Sequence, residues 1–183
     1  MILLLQYTLI FASVLILVAL GGCFAEHSGV INLGLEGIMI MGALGGALTM
    51  RYVPNTAPAI VMLLAVIVVS ALVGMVYSCL LAVASINFKA DQTLVGTALN
   101  LLGTAGATVI VKAINTAANP DDVSSIVQYG GAKSALLVSI GSFEFNWFML
   151  VAFIALVFAY VTLYKTRFGL RLMACGEHPQ AAG

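Results

Sequence analysis

Glu26 and His27 stand side by side near the end of the first apolar stretch, and Ser28, Asn32 and Glu36 follow at four-residue intervals. An adjacent carboxylate and imidazole invite a proton-transfer or metal-binding reading. Yet neighbours on a helix point about 100° apart, and no HExxH or second histidine cluster accompanies the pair. The chain also holds no GxSxG elbow, P-loop or dinucleotide fingerprint. Its three cysteines, Cys23, Cys79 and Cys175, are odd in number, widely spaced and form no CxxC, so they read as small apolar side chains rather than a disulfide framework or zinc site. Catalytic residues, a metal and a cofactor are therefore not expected. If energy is used, its chemistry lies on another polypeptide.

What remains is polar chemistry inside apolar segments. Glu36 lies some six residues past Val30, or roughly 9 Å into a helix begun there. A carboxylate at that depth must face protein or water. On a continuous helix Ser28, Asn32 and Glu36 would share an arc of about 80°, a polar stripe suited to a translocation pathway or the flank of a broken helix. The competing reading is that Asn32 and Glu36 bond neighbouring backbone and fix helix packing. Glycines crowd the same region. Gly42 and Gly46 form a small-xxx-small pair that admits a close neighbour, and Gly34 and Gly37 permit unwinding where protein shields the backbone. Further on, Gly96, Asn100, Gly103 and Ala107 share a helix face on which Asn100 reads first as interhelical glue and second as a pathway contact.

The elements that must position these residues follow from composition. The chain is 62% hydrophobic and 8% charged, with a mean hydropathy of +1.14. That is far from the roughly 25% charge of soluble domains. An all-α integral membrane protein is expected, a polytopic bundle of about five transmembrane helices with the second broken, because apolar runs reach the ~20 residues that a helix needs to cross. The spans read as 2–22, 30–50, 57–84, 94–111 and 147–164, in one domain over 1–183. Leu20-Gly21-Gly22-Cys23 faintly resembles a lipid-attachment site, but the segment before it is long enough to span and lacks a positive start. The stretch 112–146 is too polar to cross and is expected to be an external loop with a short helix around Lys133–Ile140. Lys165, Arg167 and Arg171 cluster beside the last span, which puts the C-terminus in the cytoplasm and the N-terminus outside. Arg51 is the one violation of that rule. No general basic surface exists, so nucleic acid is not an expected partner.

Three segments in order then become recognisable: EHSGVINLGLEG over 26–37, DQTLVGTALNLL over 91–102, and TRFGLR over 166–171 with GEHPQAA over 176–182. Together they resemble the permease subunits of bacterial ABC importers of the branched-chain amino acid, ribose and nucleoside type. The likeness is nearest to the nucleoside or simple-sugar branch and covers essentially the whole chain.

That resemblance implies several things. A cytoplasmic coupling segment over 165–183, with Arg167, Gly169, Arg171, Gly176, Glu177, Pro179, Ala181 and Ala182, would dock a cytoplasmic ABC ATPase subunit. The residue chemistry agrees, since Gly176 can end one helix, Pro179 suits the first turn of the next and Glu177 favours a helix N-terminus. An ordinary basic flank is the plainer alternative. Ser28, Asn32, Glu36 and Asn100 become candidate pathway residues, and Gly42, Gly46, Gly96 and Gly103 candidate packing positions. The implied partners are that ATPase, a second permease subunit, an extracellular or periplasmic solute-binding protein and the bilayer, in a bacterial inner membrane. Family members continue with further spans beyond the coupling motif, so the expectation is an N-terminal part of a permease. A non-transporting scaffold or truncated fragment is the alternative function. An intramembrane enzyme is a third and remote one.

Overall fold

The computed structural model describes residues 2–54, 57–127, 137–140, 143–178 and 180. Helices dominate, as the apolar runs require: α1 (Ile2–His27), α2 (Leu35–Tyr52), α3 (Ala59–Ile86), α4 (Gln92–Ala118), α5 (Trp147–Lys165) and α6 (Arg167–Glu177). Of these, α1, α3, α4 and α5 are long and apolar enough to cross a membrane. With 18 residues, or about 27 Å, α2 is shorter and carries Glu36 and Arg51 at its ends. The fold class is an all-α polytopic membrane bundle. Two short strands, β1 (Leu137–Ile140) and β2 (Phe143–Asn146), pair antiparallel between α4 and α5.

Three boundaries differ from the sequence expectation. The expected second span from Val30 starts as helix only at Leu35, because the backbone leaves helical geometry over 28–34 and Gly29 takes a positive φ of 78° that side-chain-bearing residues resist. The fourth helix runs seven residues past 111, so the stretch expected as loop from 112 opens with two further helical turns. The expected helix around Lys133–Ile140 is a strand over its described part, Leu137–Ile140.

The chain divides into two compact units. One comprises 1–32 with 137–183, the other 33–136.

In the first unit α1 packs on α5, and α6 folds against both. Ser13 and Gln6, seven residues apart and so on one face of α1, are buried with Ala152, Ala159 and Leu163 of α5. The hydroxyl of Ser13 is satisfied locally by the Ile10 carbonyl at 2.7 Å. Leu3, Phe11 and Leu15 stay exposed, as a lipid-facing surface should. Asn146 caps α5 by accepting from the Phe148 N–H at 3.0 Å, and Thr166 caps α6 by accepting from Gly169 at 3.3 Å. The corner between α5 and α6 is tight. Gly169 is buried there, and a Cβ on it would run into the Leu163 carbonyl.

In the second unit α2 lies between α3 and α4. Gly42 and Gly46 face α3, where a Cβ on Gly46 would come 2.5 Å from the Ser70 hydroxyl and one on Gly42 3.2 Å from the Ser70 carbonyl. Helices that meet on glycine gain close backbone contact, which supplies the packing that hydrophobic exclusion cannot supply in lipid. Tyr77, Leu81 and Leu99 form a buried cluster with Ile38, Met41 and Val95 against it. The Tyr77 hydroxyl donates to the Leu99 carbonyl at 2.7 Å. Asp91 caps α4 through Thr93 and Leu94.

Candidate functional site

The tightest part of the second unit is where α4 crosses the start of α2. A helix leaves its first N–H groups without internal partners, and α2 begins at Leu35. Asn100 on α4 supplies one of those partners: its Oδ1 accepts from the Gly37 N–H at 2.8 Å. Its Nδ2 donates to the Leu33 carbonyl, also at 2.8 Å. One amide side chain thus satisfies a donor and an acceptor that the unwound segment leaves open, and in a lipid environment such groups are costly to leave bare. The approach is possible because three glycines meet there. A Cβ on Gly37 would lie 2.6 Å from the Leu99 carbonyl oxygen, one on Gly103 2.9 Å from the Gly37 Cα, and one on Gly96 2.9 Å from the Gly34 nitrogen.

The stripe expected from Ser28, Asn32 and Glu36 does not form, since no continuous helix carries them. Ser28 lies just past α1 and its hydroxyl donates to Ala25 at 2.7 Å. Half-buried Asn32 sits in the irregular segment, while Glu36 is exposed in the first turn of α2. A carboxylate there is favoured by the positive end of the helix dipole. The four-residue spacing therefore does not mark one helix face: Ser28 and Asn32 lie in the break that contains Gly29, and Glu36 lies just beyond it.

Among the expected coupling residues, Arg167, Arg171 and Glu177 are exposed on α6. Gly176 does not end the helix, which runs on to Glu177. Its missing Cβ instead allows contact with the end of α1, where a Cβ would lie 2.5 Å from the His27 carbonyl oxygen and 3.0 Å from the Gly29 nitrogen. His27 is occupied locally, its Nδ1 2.7 Å from the Cys23 carbonyl and its ring edge-on to Tyr164. Pro179, Ala181 and Ala182 lie outside the described residues. Among the described residues no group of three metal-ligating side chains gathers.

The sequence reading missed Asn115. It is 2% exposed, and its Oδ1 accepts from the Arg51 guanidinium at 2.7 Å. Its Nδ2 donates to the Ser124 carbonyl at 3.1 Å and to the Ile126 carbonyl at 2.9 Å. This ties the strap after α4 to both α2 and α4, and gives Arg51, the exception to the charge rule, a defined partner. Beside it, hydrogen bonds from Ser124 to Asp122, with a smaller contribution from Arg51, hold the Asp122 carboxyl below its ordinary value. A signal was available: Thr97, Asn100, Thr104, Thr108 and Asn115 fall within about 80° on α4. The strap residues Ser125, Ile126 and Val127 line a groove together with α2 and α4.

Long apolar helices, packed closely on glycine where a polar side chain bridges a helix break, define a polytopic membrane protein. The chain belongs to the family of permease components of the branched-chain amino acid transport system, whose model matches residues 4–183. It is 38% identical over 181 residues to the guanosine ABC transporter permease protein NupQ of Bacillus subtilis, covering 96% of this chain and 56% of that protein. To the nucleoside ABC transporter permease protein NupC of Lactococcus lactis it is 34% identical over 177 residues, covering 95% of this chain and 56% of that one. The chain thus spans a little over half the length of these curated relatives. No solved structure matches it significantly.

Proposed function

We propose that this chain forms the N-terminal part of a permease subunit in an ATP-driven importer of nucleosides. The observation that carries the reading is similarity to two nucleoside permeases along at least 95% of the chain. In this reading the subunit sits in a bacterial inner membrane with its N-terminus outside and its C-terminus in the cytoplasm. It does no covalent chemistry; a separate cytoplasmic ATPase hydrolyses ATP, a second permease subunit completes the pathway and an extracellular binding protein delivers the solute. The exposed Arg167, Arg171 and Glu177 of α6 offer the ATPase a charged surface. Ser28, Asn32 and Glu36, at and beside the unwound segment, border the pathway, and Asn100 holds the start of α2 in place. Alternating access requires helix packing with two arrangements, and glycine contacts between α2, α3 and α4 are suited to sliding.

The test is guanosine uptake into vesicles carrying the full-length permease, its ATPase and its binding protein. Uptake should appear with ATP and vanish without it. No uptake with every partner supplied would turn the reading toward a non-transporting scaffold.

A further inference from the structure

The break between α1 and α2 is fastened at both ends. On its near side α1 finishes in a closed cap, where the Val30 N–H donates to the Ala25 carbonyl at 3.1 Å and the Gly29 N–H donates to the Glu26 carbonyl at 3.0 Å. That pair of bonds needs a left-handed residue just past the helix end, and Gly29 with its φ of 78° is that residue. The last turn of α6 lies directly on the cap. A Cβ on Gly29 would come 3.0 Å from the Gly176 Cα, and one on Gly176 would come 2.5 Å from the His27 carbonyl oxygen. Backbone meets backbone, so no rotamer change can absorb a displacement of α6 at this point.

The far side is held by α4. Asn100 bonds the Leu33 carbonyl and the Gly37 N–H, and a Cβ on Gly96 would come 2.9 Å from the Gly34 nitrogen. Between the two fastenings the chain runs without helix over 30–34, and Val30, Ile31 and Leu33 are exposed. The boundary between the two compact units falls inside this stretch, after Asn32. A short exposed segment held at both ends is where a change in φ and ψ meets least resistance.

Resting on the importer reading, we propose that 30–34 is the hinge about which α2 moves when the ATPase displaces α6. The Gly29–Gly176 contact passes the displacement on, and the Asn100 bridge fixes the other end of the hinge. The break then serves coupling as well as bordering the pathway.

The experiment uses the full-length permease with its ATPase and binding protein in proteoliposomes, with the native cysteines of the complex replaced. Spin labels at Leu15→Cys and Tyr52→Cys occupy exposed positions on α1 and α2. The distance between them should shift between the nucleotide-free complex and one trapped with ATP and vanadate. A second pair, Leu15→Cys and Phe158→Cys, lies on α1 and α5 of one unit and should hold its distance. Gly176→Ala should shrink the first shift and lower the guanosine imported per ATP hydrolysed about tenfold, the size of a typical coupling free energy. The parent complex, with Cys175→Ala one residue away, is the reference. An unchanged first distance in a complex that imports guanosine would overturn the hinge and leave the importer reading standing. Equal shifts in both pairs, or normal import per ATP in Gly176→Ala, would overturn it too. A shift at the first pair alone, without guanosine import, would sink the importer reading and keep the hinge. Where Gly176→Ala yields no complex, the two distances decide.

Discussion

Gly37→Leu should leave almost no folded permease in the membrane. The side chain would begin with a Cβ 2.6 Å from the Leu99 carbonyl oxygen and 3.0 Å from the Asn100 Cα. Both obstacles are backbone, which cannot rotate away as a side chain can. Overpacking a well-filled interior typically costs about 1–3 kcal/mol and occasionally more, and here α2 and α4 would have to part. Separation would also break the Gly37 to Asn100 hydrogen bond and strip the start of α2 of its partner. Gly106→Leu is the control, because nothing lies within 4 Å of a Cβ at Gly106. The yield of detergent-stable monodisperse protein should collapse for the first variant and hold for the second. Equal yields would mean that the α2–α4 crossing is not as close as described.

Asn115→Leu should be nearly as damaging, by a different route. Leucine is close in size but cannot bond, so the Arg51 guanidinium loses its acceptor and the Ser124 and Ile126 carbonyls lose their donor. Asn115 is buried, whereas Arg51 and Ser124 are half-buried and Ile126 is exposed, so each lost hydrogen bond costs roughly 0.5–1.5 kcal/mol and the one to the guanidinium somewhat more. The double variant Arg51→Met/Asn115→Leu should recover part of the loss, since removing both partners is cheaper than stranding one. Thermal unfolding in detergent checks this, with the single variant melting well below wild type and the double between them. A double variant that melts below the single would show that Arg51 has another role.

The membrane class, the run of crossing helices and the family resemblance were legible because lipid imposes length and apolarity on each span. Gly96 and Gly103 share a face with Asn100 in the sequence, and a Cβ on either would come 2.9 Å from backbone at the start of α2. The Ser28–Asn32–Glu36 stripe misled, since periodicity assumes an unbroken helix and the positive φ of Gly29 interrupts it. Asn115 escaped notice because the loop was begun at Lys112. A helix interior rich in threonine looks polar by composition, yet Thr104 and Thr108 satisfy their hydroxyls on their own backbone, and α4 continues past Lys112 to Ala118. The helix α6 was hidden inside a segment read for its charge, where the glycine at 176 suggested a stop. Gly176 instead marks close contact with the end of α1, as Gly169 does with the end of α5.

In the proposed orientation the chain crosses the bilayer and α6 lies on the cytoplasmic side. Cys175 lies exposed on α6 and reports that side directly once Cys23, Cys79 and any further cysteine of the full-length permease are replaced by alanine. A membrane-impermeant maleimide should label Cys175 in inside-out vesicles and leave it unlabelled in intact cells. Labelling of Cys175 from outside intact cells would contradict the account.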